Sequence, residues 1–266
     1  MAGPDTDRMS AALFRFLRGP LLLAWLMLAC VTAFAAETPP QKTKIPTPAG
    51  NVLVEKYGAA GGSTRPAIIL LSGSRGLAAP AYGELARKFQ AAGMDVFLVH
   101  YLTREDIDTI EQAGGVSARK RYYDKRLPDW ISSVRAVVAF LRRDPLYGDK
   151  IGLLGISLGA NVAAATAANA SGVSALVLVD GGFPESHAGQ VRSIPPLLLI
   201  WGSADQVFPL STGHNLQRTA AALGETAILD IYDGARHDFF IRPGHQAQTA
   251  RERVARFLLE RLALKP

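Results

Sequence analysis

A chain of 266 residues with 48% apolar and 20% charged side chains is long enough to bury one α/β-sized core without disulfide or metal staples. A formal charge of +6 is too modest to mark a nucleic-acid partner, and one cysteine excludes an internal disulfide framework. Walker-type Gly-Lys pairs, dinucleotide glycine fingerprints, paired cysteines and HExxH are all missing from the sequence, so no cofactor or metal is expected.

The first 36 residues differ in kind from the rest. Arg8, Arg15 and Arg18 precede an apolar run at 21–34, and Ala33-Phe34-Ala35 supplies the small residues of a cleavage site. This is the layout of a secretory signal peptide, and the run is short for a membrane span. The expectation is export, periplasmic or extracellular, with cleavage near Ala35. Cleavage removes three arginines and two aspartates, lowering the charge by one to about +5. It also removes Cys30, the one cysteine, so the nucleophile cannot be sulfur. The alternative reading makes Leu28-Ala29-Cys30 a lipoprotein processing site, the one route to a membrane partner, although Met27 stands where a branched aliphatic residue is usual. Residues 37–50, rich in Pro and Thr, read as a flexible mature tail, and the globular domain as 51–266.

Within that domain, β-branched and aliphatic runs at 67–71, 95–101, 151–154, 175–179, 197–201 and 227–231 predict strands. Helical spacing predicts helices at 82–92, 128–142, 158–170, 211–223 and 246–262, with Pro128 and Asp129 suited to a first turn. Near-continuous apolar strands alternating with amphipathic helices imply an α/β fold: a mostly parallel twisted sheet covered by helices on both faces. Function in such sheets collects at the carboxyl ends of the strands. Residues 103–127 form a long polar insertion, read either as a cap loop beside the site or as passive surface. Its basic run, Arg119, Lys120, Arg121, Lys125 and Arg126, reads as solvated rather than as a nucleic-acid patch.

Gly155-Ile156-Ser157-Leu158-Gly159 is a GxSxG sequence placed directly after a predicted strand and before a predicted helix. So tight a turn leaves no room for side chains on either side, which accounts for the glycines and lifts the Ser157 hydroxyl into solvent. A neutral serine needs a base, and the base needs a carboxylate to hold its tautomer. The strand at 197–201 runs out into Gly202-Ser203-Ala204-Asp205, and the strand at 227–231 leads through Tyr232 to Arg236 into His237. Asp180 and Asp233 are rival acids, but each precedes glycine and reads as a turn former. His100, His187, His214 and His245 read as structural or solvent-exposed.

The segments GISLG, WGSADQVFP and GARHDFF, in the order Ser157, Asp205, His237, resemble an α/β-hydrolase of the dienelactone hydrolase type across residues 52–262. The resemblance implies hydrolysis of a small-molecule ester or lactone, with Ser157 as nucleophile, His237 as base and Asp205 orienting it. Serine stands where dienelactone hydrolases proper carry cysteine, which leaves the lactone itself open. Two backbone donors are needed for the oxyanion: Leu158, and a residue of Ser72-Gly73-Ser74-Arg75-Gly76, which resembles the fold's HGxxG loop and assigns Ser74. Arg75, Arg104 and Arg242 are candidates for a substrate carboxylate, and Trp201 and Phe208 for an acyl pocket. A serine peptidase or other acyl hydrolase of the same fold is an alternative, and so is an exported, non-catalytic binding protein. The oligomeric state is not legible in the sequence.

Overall fold

The computed structural model describes residues 39–58, 64–170, 172–184 and 191–262. The expected signal peptide, Cys30 and His187 lie outside the described residues. The strands are β1 (Gln41–Thr47), β2 (Gly50–Tyr57), β3 (Ala67–Leu71), β4 (Asp95–Val99), β5 (Ile151–Ile156), β6 (Ala175–Val179), β7 (Leu197–Gly202) and β8 (Ala227–Tyr232). They form one sheet in the order β1-β2-β4-β3-β5-β6-β7-β8. β1 and β2 make an antiparallel hairpin that joins β4 antiparallel, and every other pairing is parallel.

The helices are α1 (Pro80–Ala91), α2 (Arg104–Gln112), α3 (Val116–Arg142), α4 (Leu158–Ala167), α5 (Leu210–Ala222) and α6 (His245–Leu262). Alternation along β3 shows how the layers form. Ala67, Ile69 and Leu71 face a core with Trp130 and Val134 of α3 and Val162 of α4. Ile68 and Leu70 face the opposite core with Leu85 and Phe89 of α1 and Phe257 and Leu258 of α6. A strand covered on both faces has no polar side, which is why β3, β4, β5, β6 and β7 are buried at every position. Each large aliphatic side chain so buried stabilises the fold by about 1.5–3 kcal/mol.

Two expectations need correction. The stretch expected as a tail carries β1: Gln41–Thr47 form the outer edge strand of the sheet. Its lysines and Pro46 suit an edge, where a missing ladder donor costs nothing and charge discourages pairing with another chain. The 103–127 insertion is not a loop but α2 followed by the first half of α3. Thr103 opens α2 with a capping box, accepting the Asp106 N–H while Asp106 accepts the Thr103 N–H. The α3 helix therefore starts twelve residues before Pro128, which lies inside it.

Asp106 is what holds this region down. Buried to 1% exposure, it also accepts from Arg126 Nε at 2.8 Å, Tyr122 Oη at 2.9 Å and Trp130 Nε1 at 3.2 Å. Burial alone would raise its pKa, but the Arg126 guanidinium, with Thr103 and Tyr122, lowers it to about 2. No helix among the described residues is long and apolar enough to cross a membrane.

Candidate active site

The segments that follow β3, β5, β7 and β8 converge at the carboxyl edge of the sheet. Ser157 joins β5 to α4 with φ 54° and ψ −118°, a backbone that a non-glycine residue holds at a cost on the order of 1–3 kcal/mol. Its N–H donates to the Val179 carbonyl at 2.9 Å, and its own carbonyl accepts the Ala160 N–H at 2.8 Å. Gly159 lets α4 approach β3: a Cβ there would stand 2.5 Å from the carbonyl oxygens of both Leu71 and Ser72.

Ser157 Oγ lies 2.9 Å from His237 Nε2, and His237 Nδ1 lies 2.8 Å from Asp205 Oδ2. The other Asp205 oxygen accepts the N–H groups of Val207 at 2.7 Å and Phe208 at 3.0 Å. Both carboxylate oxygens are therefore hydrogen-bonded, and the Asp205 side chain is fully buried. The Phe208 ring lies 5.9 Å from the His237 ring.

The acid loop and the histidine loop are stitched together. Ser203 N–H donates to the Tyr232 carbonyl at 3.0 Å and Ala204 N–H to the Ala235 carbonyl at 2.9 Å. Asp233 accepts from Ser203 Oγ at 3.1 Å on the exposed side of this junction, away from the imidazole bonds. Asp180 is fully buried at the end of β6.

His237 responds to these neighbours. Burial would lower its pKa, but the Asp205 bond and the charges of Asp238 and Asp205 outweigh it, raising the imidazole above 6.5. Asp238 was not singled out from the sequence; its Oδ1 lies 3.4 Å from His237 Nε2, brought there by a left-handed backbone at φ 65°. Its position next to His237 in the chain is the one signal that pointed to it.

The loop after β3 runs against the serine, since a Cβ on Gly73 would come within 3.5 Å of Ser157 Cβ. Two tyrosines hold it. Gly73 N–H donates to Tyr82 Oη at 3.0 Å, and Tyr101 Oη donates to the Ser72 carbonyl at 2.7 Å. Burial pushes Tyr82 up to about 12, partly offset by the Gly73 N–H, so it stays a neutral phenol. The Ser74 and Leu158 amides are committed to no protein acceptor among the described residues.

The candidate substrate residues separate. Arg242 is exposed and, with Arg236 and His237, lines a cavity of about 490 Å³. Arg75 is exposed in the turn after β3. Arg104 projects into solvent and pairs with Asp108 at 3.0 Å. Trp201 is a correction: it is fully buried, packed in the core under α5, and its Nε1 donates to the Phe208 carbonyl at 2.9 Å. It holds the loop that carries Phe208 and presents no surface to a substrate. His100 bonds Glu55 at 3.1 Å, and His214 and His245 are exposed on α5 and α6.

Asp180, Asp205 and His237 are the one group among the described residues whose ligand atoms lie close enough to share an ion. With His237 bonded to Ser157 on one nitrogen and to Asp205 on the other, the arrangement has the form of a proton relay.

The sequence model of the dienelactone hydrolase family matches residues 54–262. Among solved structures, the chain is similar to a Klebsiella pneumoniae protein described as a dienelactone hydrolase (17% identity, TM-score 0.67, covering 84% of this chain and 97% of that one). It is also similar to the Pyrobaculum calidifontis esterase (17% identity, TM-score 0.65, covering 83% and 85%). A third is the Thermogutta terrifontis esterase Est2 with propionate bound (18% identity, TM-score 0.66, covering 87% and 97%). At these identities the likeness is one of fold. No curated protein sequence matches the chain.

Proposed function

Because the chain belongs to the dienelactone hydrolase family, a family of ester- and lactone-type hydrolases, we propose that it is a serine-dependent carboxylic ester hydrolase working through an acyl-enzyme. The observation that carries the reading is the unbroken hydrogen-bond chain Ser157–His237–Asp205, with steps of 2.9 and 2.8 Å. His237 takes the Ser157 proton as Oγ attacks the carbonyl carbon, and the buried Asp205 holds the imidazole tautomer and stabilises the imidazolium. The Leu158 and Ser74 amides receive the oxyanion, the first with the added field of the α4 N-terminus. The tetrahedral intermediate collapses, His237 returns its proton to the departing alkoxide, and the alcohol leaves. Water, deprotonated by His237, then attacks the acyl carbon, and Ser157 leaves with the proton that His237 returns.

A small-molecule ester or lactone is the substrate class. Arg242 and Arg75 are the proposed anchors for an anionic substituent, because neither forms an ion pair among the described residues. Each good charge-assisted contact with a carboxylate contributes about 1.5–3 kcal/mol. We also propose export, on the strength of the leader-like residues 1–36, with Cys30 lipidation as the alternative. Mass spectrometry of the mature N-terminus tests it: a chain that retains residues 1–36 without a lipid would overturn both.

The Thermogutta esterase has been solved phosphorylated by paraoxon, which makes organophosphorus labelling a fitting experiment. Wild-type protein should label with a fluorophosphonate and turn over p-nitrophenyl esters faster than peptides. Ser157→Ala should lose the label, and Asp205→Asn and His237→Ala should each lose roughly 10³–10⁴-fold or more in kcat. Unlabelled wild type, or labelled Ser157→Ala, sinks the reading, and faster peptide turnover favours a peptidase.

A further inference from the structure

Asp180 is a buried carboxyl that the relay leaves unused. It directly follows β6 with φ 46°, its side chain is fully buried, and its Oδ1 accepts the Gly202 N–H at 3.0 Å. Gly202 is three residues before Asp205, so this bond places Asp180 under the root of the acid loop. Its Oδ2 has no hydrogen-bond partner among the described residues. Side-chain atoms of Asp180, Asp205 and His237 lie within 4.8 Å of one another.

Two carboxylates in one buried site cannot both carry charge cheaply, and the member with more hydrogen-bond donors keeps it. Asp205 has three N–H donors, from Val207, Phe208 and His237, whereas Asp180 has one. The charged and titratable groups facing Asp180 are Asp205 from the acid loop, and His237 and Asp238 from the histidine loop. The two aspartates oppose its ionisation and the imidazolium favours it.

We propose that Asp180 is a positioning residue of the catalytic centre that holds a proton in the resting enzyme, and whose ionisation is coupled to the Asp205–His237 pair and sets the basicity of His237. The inference rests on the reading of Ser157, His237 and Asp205 as the relay. Burial, with the Asp205 charge adding to it and the Gly202 N–H working against it, pushes the Asp180 carboxyl up to about 7. Its proton leaves to solvent as pH rises, and the new negative charge makes the imidazolium harder to deprotonate. The acid limb of activity then reports two coupled ionisations rather than one.

The test compares pH profiles of kcat/KM on p-nitrophenyl acetate for wild type and Asp180→Asn, a variant that mimics the neutral carboxyl in shape. Asp180→Asn should keep activity within about tenfold of wild type, far above Asp205→Asn, while its acid limb becomes a single ionisation displaced to lower pH. A limb superimposed on wild type, or a loss as deep as that of Asp205→Asn, overturns the proposal. Infrared spectroscopy of the unmutated enzyme gives a reading that no folding defect can obscure. At about pH 5.5, where ordinary carboxyls are ionised, a protonated-carboxyl stretch should be present and should titrate away near neutrality; its absence overturns the proposal. Fluorophosphonate labelling separates the two readings. Wild type that labels while the limb is unchanged removes only Asp180, and wild type that does not label removes the relay itself.

Discussion

Gly155 and Gly159 touch each other across the serine: a Cβ on Gly155 would stand 2.2 Å from the Gly159 carbonyl oxygen and 2.7 Å from Ala160 Cα. Both neighbours are backbone, so no side chain can yield. Gly155→Ala should destabilise the protein by about 1–3 kcal/mol, the usual range for overpacking. It should also cut kcat steeply by displacing Ser157. Chemical denaturation and steady-state kinetics check this, and a variant with wild-type stability and rate would mean that the turn is looser than its geometry states.

The raised pKa of His237 has a definite sign for catalysis. Only neutral imidazole accepts the serine proton, so kcat/KM should rise with pH through a value above 6.5. Asp238 contributes a negative charge 3.4 Å from Nε2. Asp238→Asn should therefore lower the His237 pKa and move the acid limb to lower pH. A limb that stays in place or moves upward would show that the Asp238 charge is not felt at the imidazole.

Acid stability should depend on Asp106. Its folded pKa near 2 is depressed below the ordinary 3.8, so its stabilisation is present above about pH 4 and is lost as pH falls towards 2. The shift corresponds to about 2 kcal/mol. Asp106→Asn should be less stable than wild type at pH 7 by at least that amount, with the difference shrinking on acidification. Unfolding curves at pH 7, 4 and 2.5 decide the matter; a gap independent of pH would assign the loss to packing alone.

Tyr101→Phe removes the buried 2.7 Å bond to the Ser72 carbonyl and should loosen the turn that carries the Ser74 amide. The expected result is a drop in kcat of about tenfold with KM little changed, since an oxyanion donor acts in the transition state. A rise in KM at constant kcat would place the residue in substrate binding.

The sequence carried what is local. The strands β3 and β6 were legible residue for residue because strands buried on both faces read as apolar runs, and the GxSxG pentapeptide between strand and helix marked the turn at Ser157. The edge strand β1 was missed because only Ile45 along it is buried, so its composition is that of a tail. The early start of α3 was missed because Pro128 reads as a beginning. What anchors the preceding turns is the buried Asp106, ten residues before α3 begins.

By itself, then, the sequence determined the alternation of strands and helices, the placing of Ser157 at a tight turn, and the order in which an acid and a histidine follow it. These are properties of neighbouring residues, set by hydrophobic period and turn chemistry. Only the tertiary structure decided which carboxylate meets His237. Asp180, Asp205 and Asp233 all follow strands, but one is buried with an unpartnered oxygen, one bonds Nδ1, and one faces solvent against Ser203. That choice depends on strand register and loop stitching between residues 32 apart in the chain. So does the placing of Asp180 beside the Asp205–His237 pair and of Asp238 Oδ1 at 3.4 Å from His237 Nε2.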